Sequence, residues 1–332
     1  MYHKAVVLAL ALSVVSAVQA DNLLIGSGQD TSRYTFEKRS DTGALVTSGN
    51  LTIGRTNHKA VKLSNGSIFV AGGFDDPTSW QIFDDNGNVL SSGSLMDSRE
   101  SAAGVLLTNE NVFICGGTLS SGTWEIHSPT GTLVSSGALF DARDAGVAAV
   151  LLQNGNVWIS GSNTAPSTWE VRNINGALVS DGNLTDQRSG AKVLVLTNGN
   201  LMLIGGTDSG TWEIVTPAGV QVSTGGLNDS RDAGSGAVVF TNNNIFIYGA
   251  SQALPDRGTW EIRDQNGNFI STGNLNNLRS SASATVQSTG NVFVVGGGDV
   301  AGTWEIHNSS GAIVSNGTLA DNRAAGHTQT HF

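Results

Sequence analysis

Apolar residues along this chain come in runs of three to six, bounded by Gly, Asn or Ser. From Ala102 the order is an apolar run to Leu107, the polar turn Thr108-Asn109-Glu110-Asn111, a second run Val112-Phe113-Ile114-Cys115 ending on Gly116-Gly117, then Thr123-Trp124-Glu125-Ile126, and last Thr132-Leu133-Val134-Ser135-Ser136-Gly137. Beyond residue 20 no stretch repeats apolar positions at three-and-four spacing, so the runs read as strands and not helices. Asn and Gly between the first two runs tolerate the positive φ of a tight hairpin, as at Asn65-Gly66, Asn154-Gly155 and Asn198-Gly199. One unit therefore predicts a four-stranded antiparallel meander, and all regular structure is expected to be β.

The unit recurs every 43 to 48 residues, and each copy carries an aromatic followed nineteen residues later by Arg. The pairs are Phe36/Arg55, Trp80/Arg99, Trp124/Arg143, Trp169/Arg188, Trp212/Arg231, Trp260/Arg279 and Trp304/Arg323, with Gly at seven and thirteen and Leu at fifteen residues after the aromatic. A fixed period of this size marks an array of one supersecondary unit. The stretch from Asn22 matches the second strand of a unit and the stretch after Arg323 matches a first strand, so the termini are expected to share one sheet. The expected fold is an all-β, seven-bladed β-propeller over residues 21–332, its ring closed by pairing of the N- and C-terminal strands.

Residues 1–20 have the layout of an export signal: His3 and Lys4, an apolar run from Ala5, then Val18-Gln19-Ala20. That run is too short to span a membrane, and the mature chain is expected to be secreted or periplasmic. The chain has 17 basic and 27 acidic residues, a net charge of −10 that repels nucleic acid and anionic lipid. Cys115 is its one cysteine, so no intramolecular disulfide exists.

The apolar strand ending in double glycine (Phe69 to Gly73, Phe113 to Gly117, Met202 to Gly206, Phe293 to Gly297), the aromatic-Glu-Ile strand after it and the Arg opening the next repeat resemble the kelch family of β-propellers, particularly the propeller of galactose-oxidase-like proteins. Gly326-His327-Thr328 after Arg323 resembles that family's Arg-x-x-Gly-His. Double glycine is replaced by Gly26-Ser27, Gly161-Ser162 and Gly249-Ala250 in three repeats. The resemblance implies a propeller serving as an oxidase scaffold, a sugar epimerase or a protein-binding platform. The copper site of the oxidases needs a Tyr joined to a Cys; here Tyr248 and Cys115 hold the same strand position three repeats apart, which separates them. No metal or cofactor is expected.

Glu37, Glu125, Glu170, Glu213, Glu261 and Glu305, with Gln81 in the second copy, begin the third strand at the end of the blade where Arg begins the first. Two readings follow: buried pairs that fix blade packing, or a ring of Arg55, Arg99, Arg143, Arg188, Arg231, Arg279 and Arg323 at the channel mouth that binds an anionic group. The aromatics are read as core wedges, with glycan stacking as the alternative. Asp97, Asp141, Asp186, Asp229 and Asp321, two residues before Arg, are expected to accept backbone N–H bonds.

Copies differ most in the loop from the double glycine to the aromatic. Asp75-Asp76 and Asp256-Arg257 in two of these loops are the candidate ligand rim. The reading is a binding module for a protein or carbohydrate ligand; the rival is a carbohydrate-active enzyme such as a sugar epimerase, with its site at the channel mouth. The oligomeric state is not legible from these patterns.

Overall fold

The computed structural model describes residues 21–25, 34–250, 256–298, 301–323 and 328–331. The leader, Gly26-Ser27, Gly326-His327 and residues 251–255 of the longest loop lie outside that set. Among the described residues no helix is long and apolar enough to cross a membrane.

Six four-stranded antiparallel sheets are each built from one contiguous stretch: 59–94, 103–138, 148–183, 192–226, 236–274 and 283–318. A further sheet draws on both ends of the chain, in the order Thr328–His331, Asp21–Ile25, Thr35–Ser40, Leu45–Asn50. Only the two outer strands of that sheet have described side chains. Of the seven blades expected, one of them composite, six are complete and contiguous; the composite sheet pairs the two chain ends as expected, but only its two outer strands are fully described, so it is not counted as a complete blade.

The first strands of successive blades stand side by side and enclose a central channel: Lys59–Lys62, Ala103–Leu106, Ala148–Leu151, Lys192–Val195, Gly236–Val239 and Ser283–Val286, with Thr328–His331 between the last and the first. Second strands such as Val112–Cys115 are buried at every position, third strands are buried beyond their first residue, and outer strands such as Leu133–Ala138 are mostly exposed. The core therefore lies between blades, on their second and third strands.

The glycine spacings have a steric cause. Each repeat aromatic, 5–7% exposed, lies against the glycine thirteen residues on in its own blade and against the glycine of the next blade's outer turn. Trp80 is held between Gly93 and Gly131, Trp124 between Gly137 and Gly176, and Trp304 between Gly317 and Gly43. A Cβ on Gly93 would stand 2.5 Å from the indole of Trp80, and one on Gly131 would overlap that ring. Burial of so large a ring between sheets is a leading contribution to cohesion. In Trp80, Trp124, Trp260 and Trp304 the indole N–H donates to a backbone carbonyl of its own outer strand, as from Trp124 to Ala138 at 3.1 Å, whereas those of Trp169 and Trp212 make no such bond.

The glycine pair after the second strand is explained likewise. A Cβ on the first glycine would run into the backbone carbonyl of the next repeat's Arg, as at Gly72 against Arg99 and Gly161 against Arg188. The second position is less confined, and Ser162 and Ala250 occupy it. Ser162 does so at φ 143°, in the region that favours glycine.

Candidate functional site

The seven repeat arginines are 0–1% exposed, so none presents its charge to solvent. In six of the seven repeats the Arg before the first strand meets the Glu of the third. Arg99 Nε donates to Glu125 at 2.7 Å, Arg188 Nε to Glu213 at 2.9 Å and Arg279 Nε to Glu305 at 2.5 Å. Arg143–Glu170, Arg231–Glu261 and Arg323–Glu37 are looser, at 3.8, 3.9 and 4.0 Å. The guanidinium also donates to carbonyls at the double glycine and at the residue before the aromatic, as from Arg99 to Gly116 and Thr123. This arrangement fixes the loop end of each blade.

A second nitrogen side chain, two residues after the Glu on the same strand face, completes five of these pairs. Arg39, His127, Arg172, Arg263 and His307 bond the carboxylates of Glu37, Glu125, Glu170, Glu261 and Glu305. Each also reaches the carbonyl of the glycine that seats the neighbouring aromatic, as His127 does at Gly131 and Arg172 at Gly176. Arg172 lies over Trp124 and Arg263 over Trp212, so each indole is confined by a glycine and a cation. The variation at this position, Arg, His, Phe83 or Val215, hides it as a repeat feature in the sequence.

Blade 59–94 departs from the scheme. Gln81 replaces the Glu and Phe83 the second nitrogen side chain, and among the described residues Arg55 has no carboxylate in ion-pair reach and its Nε is unbonded. Burial brings its pKa down to about 10, and Asp76 only partly offsets this.

The aspartates two residues before Arg do not serve mainly as acceptors for backbone N–H. Asp97, Asp186 and Asp229 accept the hydroxyls of Thr123, Thr211 and Thr259, which begin the third strands. Asp186 and Asp229 also pair with the Arg two residues on, at 2.8 and 3.2 Å. The third strand starts at the same end of the blade as this connection, which brings its first hydroxyl to the aspartate.

Among the rim candidates, Asp75 is exposed, while the half-buried Asp76 accepts the Thr78 hydroxyl and offers its backbone carbonyl to Arg55. Asp256 accepts the Ser230 amide with its carboxylate and Arg231 with its carbonyl, and the Arg257 carbonyl accepts the Arg279 amide. These two rim loops sit on blades that are not neighbours, so they form no single cluster. Phe74, which belongs to the candidate rim loop 74–77, is joined on this face by large apolar residues that sequence reading missed, Met96, Leu119 and Phe140, and all four are 55–67% exposed. They occupy consecutive loops and connections from blade 59–94 to blade 148–183. Their signal was present as large apolar residues where sister copies carry small or polar ones.

Among the described residues no three His, Cys, Asp or Glu side chains are grouped to hold a metal ion. Tyr248 donates its hydroxyl to the Ala282 carbonyl, and Cys115 is packed with Trp124 and Ile159. These placements do not fit the copper chemistry of the oxidases.

No protein-family model and no curated protein matches the chain. Solved structures do. A functionally unknown protein of Desulfotomaculum acetoxidans aligns with TM-score 0.69 at 11% identity, over 94% of this chain and 99% of that one. A fungal alcohol oxidase in complex with copper aligns with TM-score 0.66 at 13% identity, over 93% and 85%. A virginiamycin B lyase of Staphylococcus aureus aligns with TM-score 0.63 at 11% identity, over 82% and 87%. At such identities the likeness carries the fold: the chain is an all-β propeller of four-stranded antiparallel blades, with enzymes among its structural neighbours.

Proposed function

We propose that this propeller is a kelch-like binding module that acts outside the cytoplasm and engages a protein partner through its loop face, the composite sheet serving as its seventh blade. The observation that carries this reading is the exposed apolar sector of Phe74, Met96, Leu119 and Phe140 on the face where the copies differ. Exposed large apolar residues gathered in one sector are a feature of interaction surfaces. The repeated Arg, Glu and aromatic side chains are consumed by packing, which removes the most conspicuous candidates for catalysis or glycan stacking. With enzymes among the propeller neighbours, an enzymatic role is the rival reading.

The test compares the parent protein with the quadruple variant Phe74→Ser, Met96→Ser, Leu119→Ser, Phe140→Ser. Crosslinking to proteins of the native source should give one adduct that the variant loses, with unchanged circular dichroism. A glycan-array signal untouched by the variant, or turnover of a sugar substrate, would overturn the reading.

A further inference from the structure

The first residue of each inner strand occupies one register position, opposite the last residue of the second strand: Lys59 faces Ala71, Ala103 faces Cys115, Ala148 faces Ser160, Lys192 faces Ile204, Gly236 faces Tyr248 and Ser283 faces Val295. Four of these six are Ala, Gly or Ser. Lys59 and Lys192 are the exceptions, and they begin strands that have two others between them along the shorter described arc of the ring. Both lie at the end of the channel that opens on the loop face, just beyond the connections from Arg55 and Arg188.

The stem of Lys59 runs over Gly104 of the next blade, where its Cγ would stand 3.2 Å from an added Cβ. Both lysines are half-buried, and neither amine makes a hydrogen bond or ion pair among the described residues. Burial lowers the pKa of each, and the charge of Lys59 lowers that of Lys192 further. Both residues begin inner strands at one level of the ring and on nearly opposite sides of it, so their long side chains face the same stretch of channel. The thiol of Cys115 also faces Lys59; burial raises its pKa to about 12, so it supplies no anion. Glu100 accepts from Asn57 and Asp144 from Thr164, neutral donors that leave both carboxylates charged at the rim, and among the described residues neither acid forms an ion pair with Lys59 or Lys192.

We propose that the channel mouth is a binding site for a small oxyanion, a carboxylate, sulfate or phosphate group held between the ammonium groups of Lys59 and Lys192. Two like charges facing each other between low-dielectric walls repel strongly, and an anion between them turns that repulsion into two attractive contacts. Small residues at the same level in neighbouring strands leave room for it. The buried arginines do not carry this role, and the site is distinct from the apolar sector of the rim.

The test uses the mature chain, with sodium phosphate, sulfate and glucuronate each titrated against sodium chloride at matched ionic strength. Binding is followed by calorimetry and by the thermal midpoint. At least one oxyanion should give a saturable rise in midpoint that chloride does not. A response to glucuronate alone would point to an organic carboxylate, and a response to phosphate or sulfate to an inorganic ion. Lys59→Met and Lys192→Met should each weaken binding at least tenfold, and Lys59→Arg should largely preserve it. In chloride the Met variants should melt no lower than the parent, since a repulsion has been removed. Undiminished binding by the double Met variant, or no saturable response of the parent to any of the three, overturns the proposal. Should a Met variant fail to fold, the parent titrations and Lys59→Arg still decide it.

Discussion

Trp304 lies on Gly43, so the aromatic of the last contiguous blade is seated in a turn near the opposite end of the chain. The same contact links Phe36 to Gly87, Trp80 to Gly131 and each later neighbour, and together these contacts run round the whole disc. Every interface is thus built from an aromatic supplied by one blade and a glycine supplied by the next.

The first prediction separates that packing from backbone strain. Gly131 and Gly66 both have positive φ, 91° and 88°, but a Cβ on Gly66 meets nothing within 4 Å while one on Gly131 overlaps Trp80. Gly66→Ala should cost about 1 kcal/mol, the usual penalty of a left-handed residue. Gly131→Ala should cost ~3 kcal/mol or more, since the indole must leave its seat. Equal losses in denaturant titrations would show that the aromatic contact contributes little.

A second prediction concerns the unbalanced blade. Gln81→Glu supplies Arg55 with the carboxylate its sisters have, and the pair Arg188–Glu213 at 2.9 Å shows that the repeat Arg alone suffices, because Val215 stands there where other blades have Arg or His. The variant should be stabilised by about 1 kcal/mol, a rise of ~2 °C in melting temperature. A lower melting temperature would mean that the Gln81 bond to Thr52 matters more than the missing charge.

Acid should act through the paired glutamates. Burial alone would raise the pKa of Glu125, but the bond from His127, the charge of Arg99 and the Met96 amide outweigh it, and Glu305 is held low in the same way. A carboxyl whose folded pKa is depressed adds stability above its unfolded value, about 4.3, and loses it as pH falls through the lower folded value. Melting temperature should therefore drop steeply below about pH 4. Glu125→Gln should lower stability at pH 7 by ~3 kcal/mol and flatten that acid slope. An unchanged slope would assign acid lability elsewhere.

Cys115 offers a probe of ring opening. It is fully buried, and burial raises its pKa to about 12, so the native thiol should not react with a disulfide reagent at pH 8. Reaction should appear only with denaturant, in step with loss of tryptophan burial. Rapid labelling of the native protein would show that the blades part readily.

The period, the strand order of the blade and the Arg-to-Glu pairing were all readable in the sequence, because antiparallel alternation dictates which residues share an end. The role of the glycines was not, since Gly131 owes its identity to an indole 51 residues earlier. The second partners of the glutamates escaped notice because Arg39, His127 and Arg172 differ in type while bonding alike. Lys59 and Lys192 stood in plain view as charged residues at the head of apolar runs. What was missing was the ring, which sets two distant lysines facing each other.

The loan of an aromatic from each blade to its neighbour separates the unit of inheritance from the unit of cohesion. A whole repeat gained or lost at matching register brings its own indole and its own glycine seat, so both new junctions are already complementary. A break within a repeat leaves one bare indole and one vacant seat on opposite flanks of the fragment. Such a chain can lengthen or shorten by modules, but it cannot be divided without exposing two sticky and mutually complementary surfaces.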